Sequence, residues 1–451
     1  MGLSKIIAEF AVSLDAARMP PDVMEKARTC LLNSYGIALG CYTTPYAPVA
    51  RRAALAMDGE FAVRGATLLG DGRKTSITGA ALANSALFHG RAQEDTCGAA
   101  HLGAILVPLL TAMIEAHGYP VVRLLPAMVA GYETGGLFET AYSPRTTPAG
   151  LRASPLYGTL AAAAGAAKLM DLSVEQTAAA LSNAAAFAGG TLQAFDDGSD
   201  EWRYQVGAAG RLGYLAAELA RAGSVSAPHA FEGRTGFVRA YARTECDVAA
   251  LAANLGKEWS MHRVTFKPYP VCAFNQTPVT AALQLREKLR VSDVARVRVR
   301  MNPFETGYAG MDSKGPFSSL SGTLMSIPFC IANTLLNGIP SVKNMTIYDD
   351  IEVNALIDRI DLVPDVSVAR LSCVIEVELR DGTVVAEDLR LTVADYSYDR
   401  ATVSALVRRV GVETGVPKEI YDRIEAFVED TANKGIAEVL ACFSALPRVQ
   451  V

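Results

Sequence analysis

The feature that most constrains this chain is a change of hydrophobic period that happens twice. Up to about residue 264, small residues recur at helical spacing, as in TAAALSNAAAFAGG and in the stretch Gly207–Arg221. Alanine and glycine on so many faces predict helices packed closely against one another. Ser173-Val174-Glu175-Gln176 fits a capping box, in which the serine hydroxyl and the glutamine side chain satisfy each other's backbone amides. Near Thr265 the texture changes. VARVRVRMNP alternates apolar and charged residues from Val294 to Met301, the period of a half-buried strand. Further on, LSCVIEVELR and TVVAEDLRLTV flank Asp381-Gly382, a dipeptide that favours positive φ at both positions of a two-residue hairpin turn. After Tyr398 the helical period returns and runs to the end.

This order predicts a mainly α fold. A large helical domain is built from both ends of the chain, residues 1–264 and 398–451, and a smaller α+β lid domain, residues 265–397, is inserted in it. Clefts between such units are common ligand sites.

Composition excludes several function classes. A net charge of −5 does not suit a general nucleic-acid binder, which pairs with phosphates through a basic surface. No apolar run reaches the roughly 18 residues that span a bilayer, so no membrane segment is expected. MGLSKIIAEFAVSL reads as an amphipathic first helix and not as a signal peptide. The eight cysteines are scattered, without a C-x-x-C pair, which suits a reducing compartment and a cytoplasmic protein.

The five histidines (His89, His101, His117, His229 and His262) form no His-x-x-x-His pair and no Cys/His cluster. No metal ligand set is therefore expected. GDGRKTS lacks the spacing of a P-loop, and GAAGRLG follows no strand, so neither predicts a nucleotide cofactor.

Four segments gather polar groups beside Gly and Pro turns. In Arg91–His101, two acids, Thr96 and His101 precede the apolar helix ILVPLLTAMIEA. A histidine there suits proton abstraction near neutrality. Equally, Asp95 and Thr96 suit a helix cap, with His101 a satisfied first-turn residue. The other three segments carry Arg152, Arg203 and Lys267. Together these form a sensible carboxylate-binding set, and singly each is an ordinary ion-pair partner.

A resemblance orders these readings. ATLLGDGRKTSITGAALANSALFHG followed by EDT resembles the signature of the MmgE/PrpD family, and HLGAILVPLLTAMIEA resembles the segment that follows it. GYETGGLFETAY, GTLAAAAGAAKLMDLSVEQTAAALSNAAA, FKPYPVC and SIPFCIANTLLNG fall in family order, so the resemblance spans roughly residues 5–445. It implies a homodimer without a bound cofactor that acts on carbon atoms next to carboxylates. Family reactions are dehydration of 2-methylcitrate, decarboxylation of cis-aconitate and epimerisation of iminodisuccinate.

The resemblance places Asp95, Thr96, His101, Lys267 and Tyr269 at catalytic positions and keeps Arg203. It also marks departures. Ala92 stands where the family has an acid, and Arg152 ends its Gly-x-His turn. Trp202 replaces a lysine, Gln205 and Gln276 replace histidines, and Phe329 replaces a tyrosine. Arg152, Arg203, Trp202, Gln205, Gln276 and Phe329 are then expected to line a substrate pocket. The expectation is a lyase for a small carboxylic acid, in which His101 removes a proton α to a carboxylate and Asp95 orients it. An isomerase and a ligand-binding member without turnover are the alternatives.

Overall fold

The computed structural model describes residues 1–447. The first part of the chain is a packed array of helices that includes α1 (Pro21–Gly40), α2 (Ile77–Phe88), α3 (Gly103–His117), α4 (Leu124–Thr146), α5 (Ala153–Leu169) and α6 (Glu201–Arg221). Small residues set how closely these helices approach. A methyl group added at Gly213 of α6 would lie 2.4 Å from Ala162 Cβ and 2.8 Å from the Thr159 carbonyl oxygen of α5. One at Gly207 would lie 2.6 Å from the carbonyl oxygen of Leu82 in α2. Ridges this low let backbone meet backbone. The capping box predicted at Ser173 forms, with Ser173 Oγ accepting from Gln176 N and Gln176 Oε1 accepting from Ser173 N. Between these helices and the second part of the chain lies a two-residue antiparallel pair. It joins β1 (Thr96–Cys97) to β2 (Val264–Thr265), with Thr96 opposite Thr265.

The second part holds a four-stranded sheet made of β3 (Val294–Met301), β4 (Ile360–Pro364), β5 (Ser372–Leu379) and β6 (Val384–Arg390), in the order β4-β3-β5-β6. β3 runs parallel to β4 and antiparallel to β5, and β5 runs antiparallel to β6. The alternation read from the sequence places Val297, Val299 and Met301 inward and Arg296 and Arg298 outward. Helix α7 (Gln276–Arg286) packs on β5 and β6, and α8 (Ile327–Asn337) packs on α7. The hairpin at Asp381-Gly382 differs from expectation. Gly382 has φ 86° while Asp381 does not, and the connection is a three-residue loop. Leu379 accepts from the Gly382 amide and donates to the Thr383 carbonyl. A type I turn closed by a left-handed glycine needs only one positive φ, and Asp381 instead caps the Thr383 amide.

The chain then returns to α1. Helices α9 (Arg400–Thr414) and α10 (Lys418–Glu429) cover it, with Val407 against Gly36 and Val410 against Gly40. Apolar side chains form two main cores. One joins the first part to the returning C-terminal helices. The other lies beneath the sheet, and it recruits Leu192, Phe195 and Trp202 from ahead of residue 265. No helix among the described residues is long and apolar enough to cross a membrane.

Gly213 provides a sign test of the close packing. Glycine to alanine inside an exposed helix stabilises by about 1 kcal/mol, whereas overpacking costs about 1–3 kcal/mol. Gly213→Ala is expected to lower the thermal midpoint in circular dichroism, and a raised midpoint would show that the crossing has room to spare.

Candidate active site

Helix α2 ends at His89, and a tight turn follows in which Ala92 takes φ 54°. That turn sends residues 93–97 into the interior, where Glu94 and Asp95 are both buried. Gly98, at φ 60°, then passes so close to Glu139 that a Cβ would sit 2.2 Å from its carboxylate. The Ala99 amide donates to Glu139 Oε1 and the His101 amide to Ser154 Oγ. His101 is thus fixed ahead of α3, whose first helical residue is Gly103. The helix-cap reading of Asp95 and Thr96 does not hold, because Thr96 pairs with β2 and its hydroxyl meets that of Thr265 at 2.8 Å.

Glu94 is the centre of the site. Lys267 Nζ lies 2.8 Å from Glu94 Oε1, His101 Nδ1 lies 2.8 Å from the same oxygen, and His89 Nδ1 lies 3.1 Å from Oε2. Arg152 Nη2 approaches His89 Nε2 at 2.8 Å. A guanidinium only donates, so His89 Nε2 is the acceptor and its proton sits on Nδ1, facing Glu94. His101 Nδ1 lies as close to Glu94 without the alignment of a hydrogen bond, and a proton held there leaves the basic lone pair of His101 on Nε2. Burial, followed by the charge of Lys267, holds the His101 imidazole down at about 4. Burial likewise holds His89 well below its ordinary range. Burial works against ionisation of Glu94, but the surrounding nitrogens prevail and keep its carboxyl well below the usual range. At neutral pH the site therefore contains an ionised carboxylate beside two neutral imidazoles.

His89, His101, Thr96 and Lys267 line a cavity of about 40 Å³, together with Phe195, Trp202, Phe274 and Tyr308. The remaining expected residues lie elsewhere. Glu94, not Asp95, contacts His101; Asp95 turns its Oδ2 to the Tyr132 hydroxyl, and burial raises its carboxyl to about 7. The three cations do not converge. Arg152 sits against His89, beside the adjoining Phe195 and Trp202 rings, and is held by the Trp202 carbonyl and Gln205 Oε1. Arg203 is stacked between Tyr46 and Trp202 and bonds Ser321 and Asp200. Gln205 spans Arg152 and the Thr191 carbonyl. Gln276 clamps the backbone turn of Tyr269, Val271 and Cys272, and Tyr269 itself reaches neither this cavity nor the larger one beside it. Phe329 packs on Phe317 in the second core.

Glu94 and His89 are the residues that local reading overlooked. The acidic pair 94–95 was visible, but which acid faced the histidine was not. His89 stood alone in its segment.

Folding also makes a trio that spacing did not predict. Ligand atoms of His89, Glu94 and His101 all lie within 4.8 Å of one another. Its chemistry is that of a carboxylate packed among nitrogen atoms and not of a metal centre. The Arg152 donor on Nε2 commits His89 Nδ1 to carrying a proton, and Lys267 already occupies Glu94.

Comparison with known proteins agrees with this fold. The MmgE/PrpD N-terminal domain matches residues 5–247 and the MmgE/PrpD C-terminal domain matches residues 269–413. The chain is similar to the cis-aconitate decarboxylase-like protein oryM of Aspergillus oryzae, at 30% identity over 277 residues. That match covers 58% of this chain and 57% of oryM, so it spans little more than half of the relative. It is also similar to cis-aconitate decarboxylase of Aspergillus terreus, at 24% identity over 371 residues, covering 77% of this chain and 75% of that one. With one family domain matched in the helical part and the other in the part that carries the sheet, the chain belongs to the MmgE/PrpD family.

Proposed function

We propose that this protein is a lyase acting on a small carboxylic acid, with His101 as the group that removes the proton α to a carboxylate. The observation that carries this reading is the pairing of a neutral, cavity-facing His101 with the ionised, buried Glu94. An imidazole held neutral at physiological pH can accept a proton, and Glu94 beside Nδ1 stabilises the imidazolium that results. Lys267, on the cavity wall, supplies positive charge where a carboxylate gathers negative charge as the C–H bond breaks. The Thr96 hydroxyl is a further polar group on that wall. In a dehydration that electron pair forms the new C=C bond as a β-hydroxyl leaves, taking the proton back from the imidazolium to depart as water; in a decarboxylation CO₂ departs and leaves its bonding pair on carbon, where a proton is added. The names of the relatives, cis-aconitate decarboxylase and its -like neighbour, support the lyase class.

The direct test is proton NMR in D₂O with 2-methylcitrate, citrate, cis-aconitate and iminodisuccinate. A new alkene or a decarboxylated product supports the reading, and deuterium uptake with unchanged connectivity replaces it with an isomerase.

Two further outcomes follow from His101. His101→Ala is expected to reduce turnover by about 10²–10⁴-fold, the usual contribution of a general base, with the melting temperature preserved; undiminished turnover would sink the assignment. The pH profile of kcat/KM is expected to fall on the acid side near pH 4, because protonation of His101 in the free enzyme removes the base. An acid limb near the ordinary histidine value of about 6.5 would show that burial and Lys267 do not depress it.

A further inference from the structure

A second and larger cavity, of about 170 Å³, adjoins the one described. The two share Thr96, Gly98, Ala99, Lys267, Ala273 and Phe274. Their sizes and walls differ in kind. At about 40 Å³ the inner cavity has room for a carboxylate and little else. The outer one matches in size the apolar cavities of about 150 Å³ that accept benzene.

Its walls are mostly apolar, with Phe266, Phe304, Leu371, Val393 and Tyr396 joining the shared Phe274. Five charged residues also line it: Arg263, Arg370, Lys267, Glu139 and Glu305. Arg263 donates to the Gly136 carbonyl at 2.9 Å and lies 3.4 Å from Glu139. Arg370 rests 3.7 Å over the Phe304 ring. Glu305 is fully buried, with Oε1 accepting from the Leu371 amide and Oε2 without a partner. The chamber thus offers apolar and aromatic faces, with its cations held by Glu139, by Glu94 or over an aromatic ring.

Leu371 adds an independent sign. It holds φ 61°, a region that leucine rarely adopts. Its backbone is pinned on both sides, its amide by Glu305 and its carbonyl by the Thr277 hydroxyl at 2.8 Å. Strain of this sort collects at ligand sites, and here it keeps an apolar side chain in the chamber wall.

We propose that the outer chamber is a substrate subsite for an apolar substituent, an alkyl chain of about four to six carbons or a phenyl ring, carried by the acid whose reacting carboxylate sits against His101 and Lys267. This rests on the lyase reading only in placing that carboxylate in the inner cavity.

Calorimetric titration of the full-length protein with saturated succinates, which offer no leaving group, separates binding from turnover. The probes are methyl-, propyl-, butyl- and phenylsuccinate, with tricarballylate as the tricarboxylate. Affinity is expected to rise about fourfold per added methylene from methyl to butyl, with phenylsuccinate tighter than methylsuccinate by about tenfold or more and tricarballylate weaker than butylsuccinate. Measurable but flat affinity along the series, or tricarballylate as the tightest ligand, would overturn the subsite and leave the lyase reading standing. Failure of every probe to bind would overturn the carboxylate placement, and the subsite with it. Val393→Trp, at a half-exposed position on the chamber wall, should reduce the phenyl-to-methyl affinity ratio several-fold with the melting temperature retained. An unchanged ratio in the folded variant would equally overturn the subsite.

Discussion

The site depends on keeping one carboxylate charged where water does not reach. Glu94 is 1% exposed, and taking a lone carboxylate out of water costs several kcal/mol unless partners with good geometry repay it. Here the partners are Lys267, His101 and His89, and they come from three places in the chain. Their convergence explains much of the local architecture. The turn at Ala92 drives the acid inward, the β1–β2 pair sets residue 96 beside residue 265, and Ser154 fixes the His101 backbone. Arg152 completes the arrangement from behind by choosing the tautomer of His89.

The residues expected to depart from the family pattern acquire a physical sense in that setting. Arg152 is a permanent donor and carries no titration of its own near neutrality. Trp202 lines the cavity while its backbone carbonyl holds Arg152, and its ring lies near both that guanidinium and Arg203. Gln276 spends both ends of its amide on the backbone and so becomes part of the scaffold. The titratable chemistry is thereby concentrated on His101, with Glu94 and Lys267 beside it.

Local features were legible in the sequence wherever one short segment determined them. The alternation of Val294–Met301 is a strand because its period is that of a pleat, and Ser173–Gln176 caps its helix because the geometry needs only those four residues. The hairpin at Asp381-Gly382 was legible as a turn, but its loop length depended on the register between β5 and β6. In the site, the cluster from Glu94 to His101 could be seen because it is contiguous. The partnership of Glu94 with Lys267, 173 residues away, could not. Nor could a linear reading show that Arg152 and Arg203 turn away from the cavity onto aromatic rings, since the rings that attract them come from other segments.

The core beneath the sheet has a consequence for how this protein can be divided. Because Leu192, Phe195 and Trp202 belong to that core although they precede residue 265, the residues after 264 do not enclose that core by themselves. A fragment cut at the change of sequence texture would leave behind part of its own interior, and the remaining piece would present those aromatic side chains to water. Shuffling experiments or truncated expression designs that respect only the linear boundary would therefore produce two sticky halves. The seam along which the molecule can be parted runs through space and not along the chain.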